Sequence, residues 1–188
     1  MFLVNPYIHG SGVPTYTSVY PTAYSDVYVK TNNDYGTKSY GYQSTNPANS
    51  LTGHQDYNGW VVDNASPNNR IHIDLGSPVV ISRIYYENAH ISGAYTDRGF
   101  RNFTFWGSNT STAFDDTTYA TDTNWTQLTI SQSFLDQHTA SNIADPKYIT
   151  LTENTTSYRY YALKMSSDWG TSFNNYYGIR RVELQTAD

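Results

Sequence analysis

RIHIDLGSPVVISRIYY (70–86) alternates with a period of two, and that period decides the fold. In IHIDLG, Ile71, Ile73 and Leu75 alternate with His72 and Asp74, so one face of a strand is core. Asp-Leu-Gly marks the strand end, and Gly76 permits a backbone angle that Leu75 could not adopt. In VISRIYY, Val80, Ser82, Ile84 and Tyr86 share one face while Ile81, Arg83 and Tyr85 share the other, so both faces are partly covered. FRNFTFWGSN (100–109), NWTQLTI (124–130), KYITL (147–151), YRYYALKM (158–165) and GIRRVEL (178–184) follow in the same style, each bounded by turn residues. Short, regularly spaced, β-branched and aromatic segments predict an all-β sandwich of about eight core strands. Val79, Ile81, Ile84, Phe103, Phe105, Leu128, Ile130, Ile149, Leu151, Ala162, Leu163, Ile179, Val182 and Leu184 are its core candidates.

Composition supports the same class. At 188 residues the chain suits one domain. Charged residues are only 14%, there are 19 tyrosines, and Asn, Thr and Ser are abundant, a balance that favours strands and polar loops over long helices. A formal charge of −5, with Arg180–Arg181 the one adjacent basic pair, argues against nucleic acid as partner. No apolar run is long enough to insert into a membrane. MFLVNPYIHG lacks the basic start of a secretion signal, and the absence of cysteine makes the fold independent of disulfides.

Residues 1–43 read as an N-terminal arm, with Pro6, Pro14 and Pro21 in its extended part. YSDVYVK (24–30) and TKSYGYQ (37–43) would form a hairpin around TNNDYG. Residues 44–188 are then the sandwich domain. Trp60 is expected to pin a long loop to the core, and SFLDQHTASNI, in the 131–146 interval, to form one helical turn.

NPANSLTG…NGW (46–60), RIHIDLGSPVVISRIYY (70–86), FTFWGSN…NWTQL (103–128) and YRYYALKM…GIRRVEL (158–184), taken in that order, resemble the discoidin, or coagulation-factor type C, family of galactose-binding-like jelly rolls. The resemblance covers roughly residues 44–186. It implies a jelly-roll sandwich and, in many relatives, a structural calcium held by an Asp before the Gly of the first loop and a Glu in the last strand. Those positions match Thr52 and Arg181 here. Ca²⁺ takes several oxygens, preferably carboxylate, and a cation at 181 would repel it, so no cofactor and no metal are expected; the alternative is a calcium that Asp56 or backbone carbonyls hold instead.

The segment ENAHISGAYTDRG (87–99) joins two core strands and carries His90, Tyr95, Asp97 and Arg98. A sugar needs bidentate polar side chains beside an aromatic platform, and the resemblance implies that His90 and Arg98 supply the former. The plainer alternative is a self-contained TDRG turn with a solvated His90. SSDWGTSFNNYYG (166–178) adds Trp169, Asn174, Asn175 and Tyr176 as ligand-binding candidates, although Trp169 beside Gly170 more often packs under its loop. One of Tyr176 and Tyr177 should point inward and the other out. GHQDYNG (53–59) brings His54, Asp56 and Tyr57 to the same end.

The chain shows no nucleophile–base pair, no phosphate loop and no opposed carboxylates; the FDD at 114–116 reads as a solvated turn. Binding without catalysis is therefore expected, with a glycan or cell-surface polysaccharide as partner. The Pro/Gly-rich arm and the Asn, Thr and Tyr content resemble phage tail-fibre or virion decoration proteins. That resemblance implies a place on a virion surface or outside the cell, attachment to a larger particle, and avidity through a homo-oligomer. The alternative is an assembly module that uses the same loops for protein–protein contact.

Overall fold

The computed structural model describes residues 14–63, 66, 68–170 and 176–188. Among the described residues ten strands make two antiparallel sheets, against the eight or so core strands expected. They are β1 (Tyr16–Val19), β2 (Val29–Thr31), β3 (Trp60–Asp63), β4 (Asn69–Val79), β5 (Arg83–Asn88), β6 (Phe103–Ser108), β7 (Thr126–Leu128), β8 (Lys147–Thr150), β9 (Tyr158–Met165) and β10 (Tyr176–Ala187). One sheet runs β1-β10-β5-β8 with β3 also on β10; the other runs β2-β4-β9-β6-β7. This is a β-sandwich jelly roll.

The period of two in IHIDLG does what alternation dictates. Ile71 and Ile73 face the inter-sheet core beside Trp60, Ile84, Phe105, Leu163, Ile179 and Val182, all almost fully buried. The opposite face of the same sheet is buried too, because residues 110–125 fold over it. Phe114 and Trp125 pack with Tyr160 and Ala162 as a second cluster, and His72 lies 4.8 Å from the Trp125 ring. The one α-helix among the described residues, Ser111–Asp115, belongs to this cover. The helical turn expected in the 131–146 interval is absent there: that stretch is irregular and ties itself down by side-chain hydrogen bonds instead. No helix among the described residues is long and apolar enough to cross a membrane.

The N-terminal expectations need correction. β2 pairs with β4 rather than with residues 37–43, and the latter run into a 3-10 turn at Gly41–Thr45, so no hairpin forms. β1 pairs with β10 and β2 with β4, so the boundary at residue 43 does not fall at the edge of the sheets. Each strand covers a long edge that would otherwise leave backbone groups unpaired. Residues 1–13 lie outside the described residues.

Candidate functional site

Three connections meet at one rim of the sandwich: the 46–59 loop before β3, the 89–102 loop between β5 and β6, and the start of β10. Gly178 lets them close. A Cβ there would stand 2.7 Å from the Trp60 carbonyl oxygen and 2.9 Å from the Gln55 amide nitrogen. The Trp60 indole is fully buried and donates to the Asn33 carbonyl at 2.9 Å, so it anchors this end as expected.

Between the loops lies a cavity of about 360 Å³. Tyr35, Tyr95, Tyr176 and Tyr177 are among its lining residues. Tyr35 and Tyr176 meet edge to face at 5.2 Å. Arg98 lies with its guanidinium 4.3 Å from the Tyr95 ring centroid and 5.5 Å from that of Tyr176. It makes no salt bridge among the described residues, and its Nε is buried without a hydrogen-bond partner. Asp56 is the one acid lining the cavity; Lys38 lies 3.6 Å and the exposed His54 3.4 Å from its carboxylate. Tyr95 holds a left-handed backbone (φ 55°), as do Ser92 (φ 51°) and Tyr57 (φ 63°) in the same loops. Such conformations cost a non-glycine residue roughly 1–2 kcal/mol and cluster at functional loops.

The sequence candidates divide. Tyr95, Arg98 and Tyr176 line the cavity, and so do His54 and Asp56. Of the tyrosine pair, Tyr177 is buried against Phe100 and Tyr176 is half-exposed. His90 is a correction. Its side chain is fully buried, with Nε2 hydrogen-bonded to the Leu51 carbonyl and Nδ1 accepting the Gly93 amide. Its ring stacks on His138 at 3.9 Å, so it supports the loop from beneath and offers no atom to the cavity. Trp169 is a second correction. The indole N–H donates to the Leu135 carbonyl at 2.9 Å and Arg101 covers the ring at 4.4 Å, so it packs and stays off the cavity wall. Asp97 is also off the wall, close enough to Asp168 for its charge to raise that carboxyl, although burial is the larger cause. Asn174 and Asn175 lie outside the described residues.

Tyr35, Gln55 and Ile91 were not singled out from sequence yet line the cavity. The turn-forming run TNNDYG was the one signal for Tyr35, and it says nothing about which loop Tyr35 will meet. The 131–146 interval also matters here, as a buttress. Gln137 donates to Thr96, and Asn142 accepts the Gly53 amide at 2.7 Å. Gly93, at φ 84°, brings its backbone against Ser141.

Among the described residues no group of three or more His, Asp or Glu side chains could hold a metal ion. At the place where the resemblance implies calcium, Arg181 pairs with Glu183 at 3.1 Å and donates to the Asn49 carbonyl at 2.7 Å. Its neighbour Arg180 takes the carbonyls of Ser50, Thr52, Gly53 and His90. These carbonyls already face a cation, which does not suit a second one.

Two packed antiparallel sheets with a cavity among the rim loops make this a β-sandwich jelly roll. Residues 48–184 match DUF5000, described as a domain of unknown function, and the chain belongs to that family. No curated protein matches it in sequence. Solved structures share its fold at low identity. The CBM32 module of AlyQ in complex with 4,5-unsaturated mannuronic acid is 13% identical over 89% of this chain and 97% of that chain, with a TM-score of 0.53. The family 32 carbohydrate-binding module of NanJ from C. perfringens, in complex with galactose, is 8% identical over 92% of this chain and all of that chain, with a TM-score of 0.55. A truncated AlyQ with CBM32 and alginate lyase domains is 14% identical over 93% of this chain at a TM-score of 0.54, and this chain spans 34% of it.

Proposed function

We propose that this chain is a non-catalytic carbohydrate-binding module that holds a glycan in the rim cavity. The observation that carries the reading is the convergence of three tyrosine rings, Tyr35, Tyr95 and Tyr176, with Arg98, His54 and Asp56 around one open cavity. The apolar face of a sugar ring stacks on tyrosine, while its hydroxyls need donors and acceptors set at fixed angles. The volume, about 360 Å³, is that of a small-ligand site. The neighbours in complex with galactose and with an unsaturated mannuronic acid share the fold and so add support. A hydrolase reading finds no support at this site, since Asp56 is the single carboxylate among its lining residues and has Lys38 and His54 beside it.

The finer reading is host-glycan recognition by a phage or virion protein, at the virion surface or outside the cell. Its support is the Tyr-, Asn- and Thr-rich composition and the Pro/Gly-rich start, through which the chain would attach to a larger particle. One shallow site binds weakly, so repeated copies would supply the avidity. The test is a glycan array with the intact chain, each hit followed by calorimetric titration and a melting curve. Binding of a defined sugar that also raises the melting temperature supports the reading. Self-association at micromolar concentration with no glycan hit contradicts it and favours the assembly alternative.

A further inference from the structure

The adjacent pair Arg180–Arg181 sits on β10, where the pairing with β5 slips. Ile179 stands opposite Asn88 and Arg181 opposite Glu87, so Arg180 is the extra residue of a bulge. A bulge re-aims the side chain it carries, and here the result is a guanidinium with no solvent exposure. Its Nη1 donates to the Ser50 and Thr52 carbonyls at 3.1 Å each; its Nη2 donates to the Gly53 and His90 carbonyls at 2.8 Å each. Three of these acceptors belong to the loop that presents His54, Gln55 and Asp56 to the cavity. The fourth opens the loop that presents Ile91, Tyr95 and Arg98.

Carbonyl oxygens converging from separate turns are the donor set with which proteins hold hard cations. The charge here comes from the chain. Burial lowers the Arg180 pKa to about 10, which leaves it a cation at neutral pH, and the buried Glu87 is the acid whose field opposes that shift. A lysine would bring the charge but lacks the planar fork that reaches several acceptors on two loops at once.

We propose that Arg180 is a built-in cation that does the work of a metal ion in this carbonyl cage, positioning both cavity loops and making the site independent of calcium.

The test has two arms, neither of which uses a glycan. Melting curves of the native chain are recorded with calcium chloride and with EDTA. They are expected to superimpose; a calcium-dependent rise, or a fall in EDTA, overturns the proposal without any variant. Hydrogen exchange is then compared for the native chain, Arg180→Lys and Arg180→Met. The Gly53, Ser92 and Gly93 amides, whose own bonds depend on these turns, should lose protection by about tenfold or more in both variants while β4 and β9 stay protected. Unchanged exchange at those three amides in a folded variant overturns it. So does loss spread evenly over the whole chain by Arg180→Lys, because that would make Arg180 a general packing residue.

Discussion

The Arg98 guanidinium rests 4.3 Å from the centre of the Tyr95 ring, and that ring is presented by a backbone at φ 55° and ψ 35°. The pair puts a positive charge and an apolar face side by side at the cavity mouth. A left-handed backbone is tolerated by asparagine far better than by most residues. Tyr95→Asn should therefore keep the fold and the melting temperature while removing the platform. Titration of the strongest array hit should show affinity weakened by about tenfold, ~1–2 kcal/mol. Unchanged affinity in a folded variant would place the sugar elsewhere.

Trp169 tests the opposite behaviour. Its indole is occupied by the Leu135 carbonyl and by Arg101, so Trp169→Ala should act on stability. A loss of about 2–4 kcal/mol in urea unfolding is expected, with glycan affinity of the folded protein unaltered. A variant of native stability that no longer binds would return Trp169 to the ligand.

Two buried histidines fix an acid limit. His72, bonded to the Phe114 carbonyl at 2.7 Å, and His90, stacked on His138, both have pKa values lowered from 6.5 to about 4, mainly by burial. The unfolded chain binds protons at these positions near pH 6.5, whereas the folded chain does so only near pH 4, so stability is complete above the first value and falls as pH drops toward the second. Each histidine contributes up to roughly 3 kcal/mol to that slope. Urea midpoints at pH 7, 5.5 and 4 (chosen to bracket the window) should decline, and His72→Phe should flatten the decline. An equal decline in the variant would assign it to carboxylates instead.

Asp74, the residue that ends the IHID alternation, receives Arg159 through two bonds of 2.8 Å and the Gly76 amide at 2.7 Å. Its side chain is 6% exposed and that of Arg159 41%. Asp74→Ala should cost about 2–3 kcal/mol, because the Gly76 amide and the Arg159 guanidinium both lose their acceptor. Arg159→Ala should cost clearly less, since solvent screens the exposed partner. The strand does not end at Asp-Leu-Gly as its sequence suggests but slips in its pairing with β9 between Asp74 and Val79, and the reverse order in urea unfolding would refute this account of the slip.

How far these features were readable in advance depends on the range of the interaction. IHIDLG, YRYYALKM and IRRVEL announce β4, β9 and β10 because alternation is local and the core is continuous. β1 read only as part of an extended arm because its partner, β10, is far along the chain, and β2 read as a hairpin strand because the turn-rich TNNDYG suggested a nearer partner than β4. Tyr95, Arg98 and Tyr176 were found as polar and aromatic residues on loops at one rim. His90 looked the same in sequence; only the 131–146 interval, which lays His138 beneath it, makes it a buried prop. Arg180 shows the same limit, for the bulge that turns it toward the loops depends on pairing with β5.

The most direct test of the central claim is calorimetric titration of the strongest array hit into the native chain and into Arg98→Ala, with melting curves recorded alongside. The cavity reading predicts a melting temperature close to native and an affinity reduced by about tenfold or more. Equal affinity in the two proteins would contradict it and remove the rim cavity as the binding site.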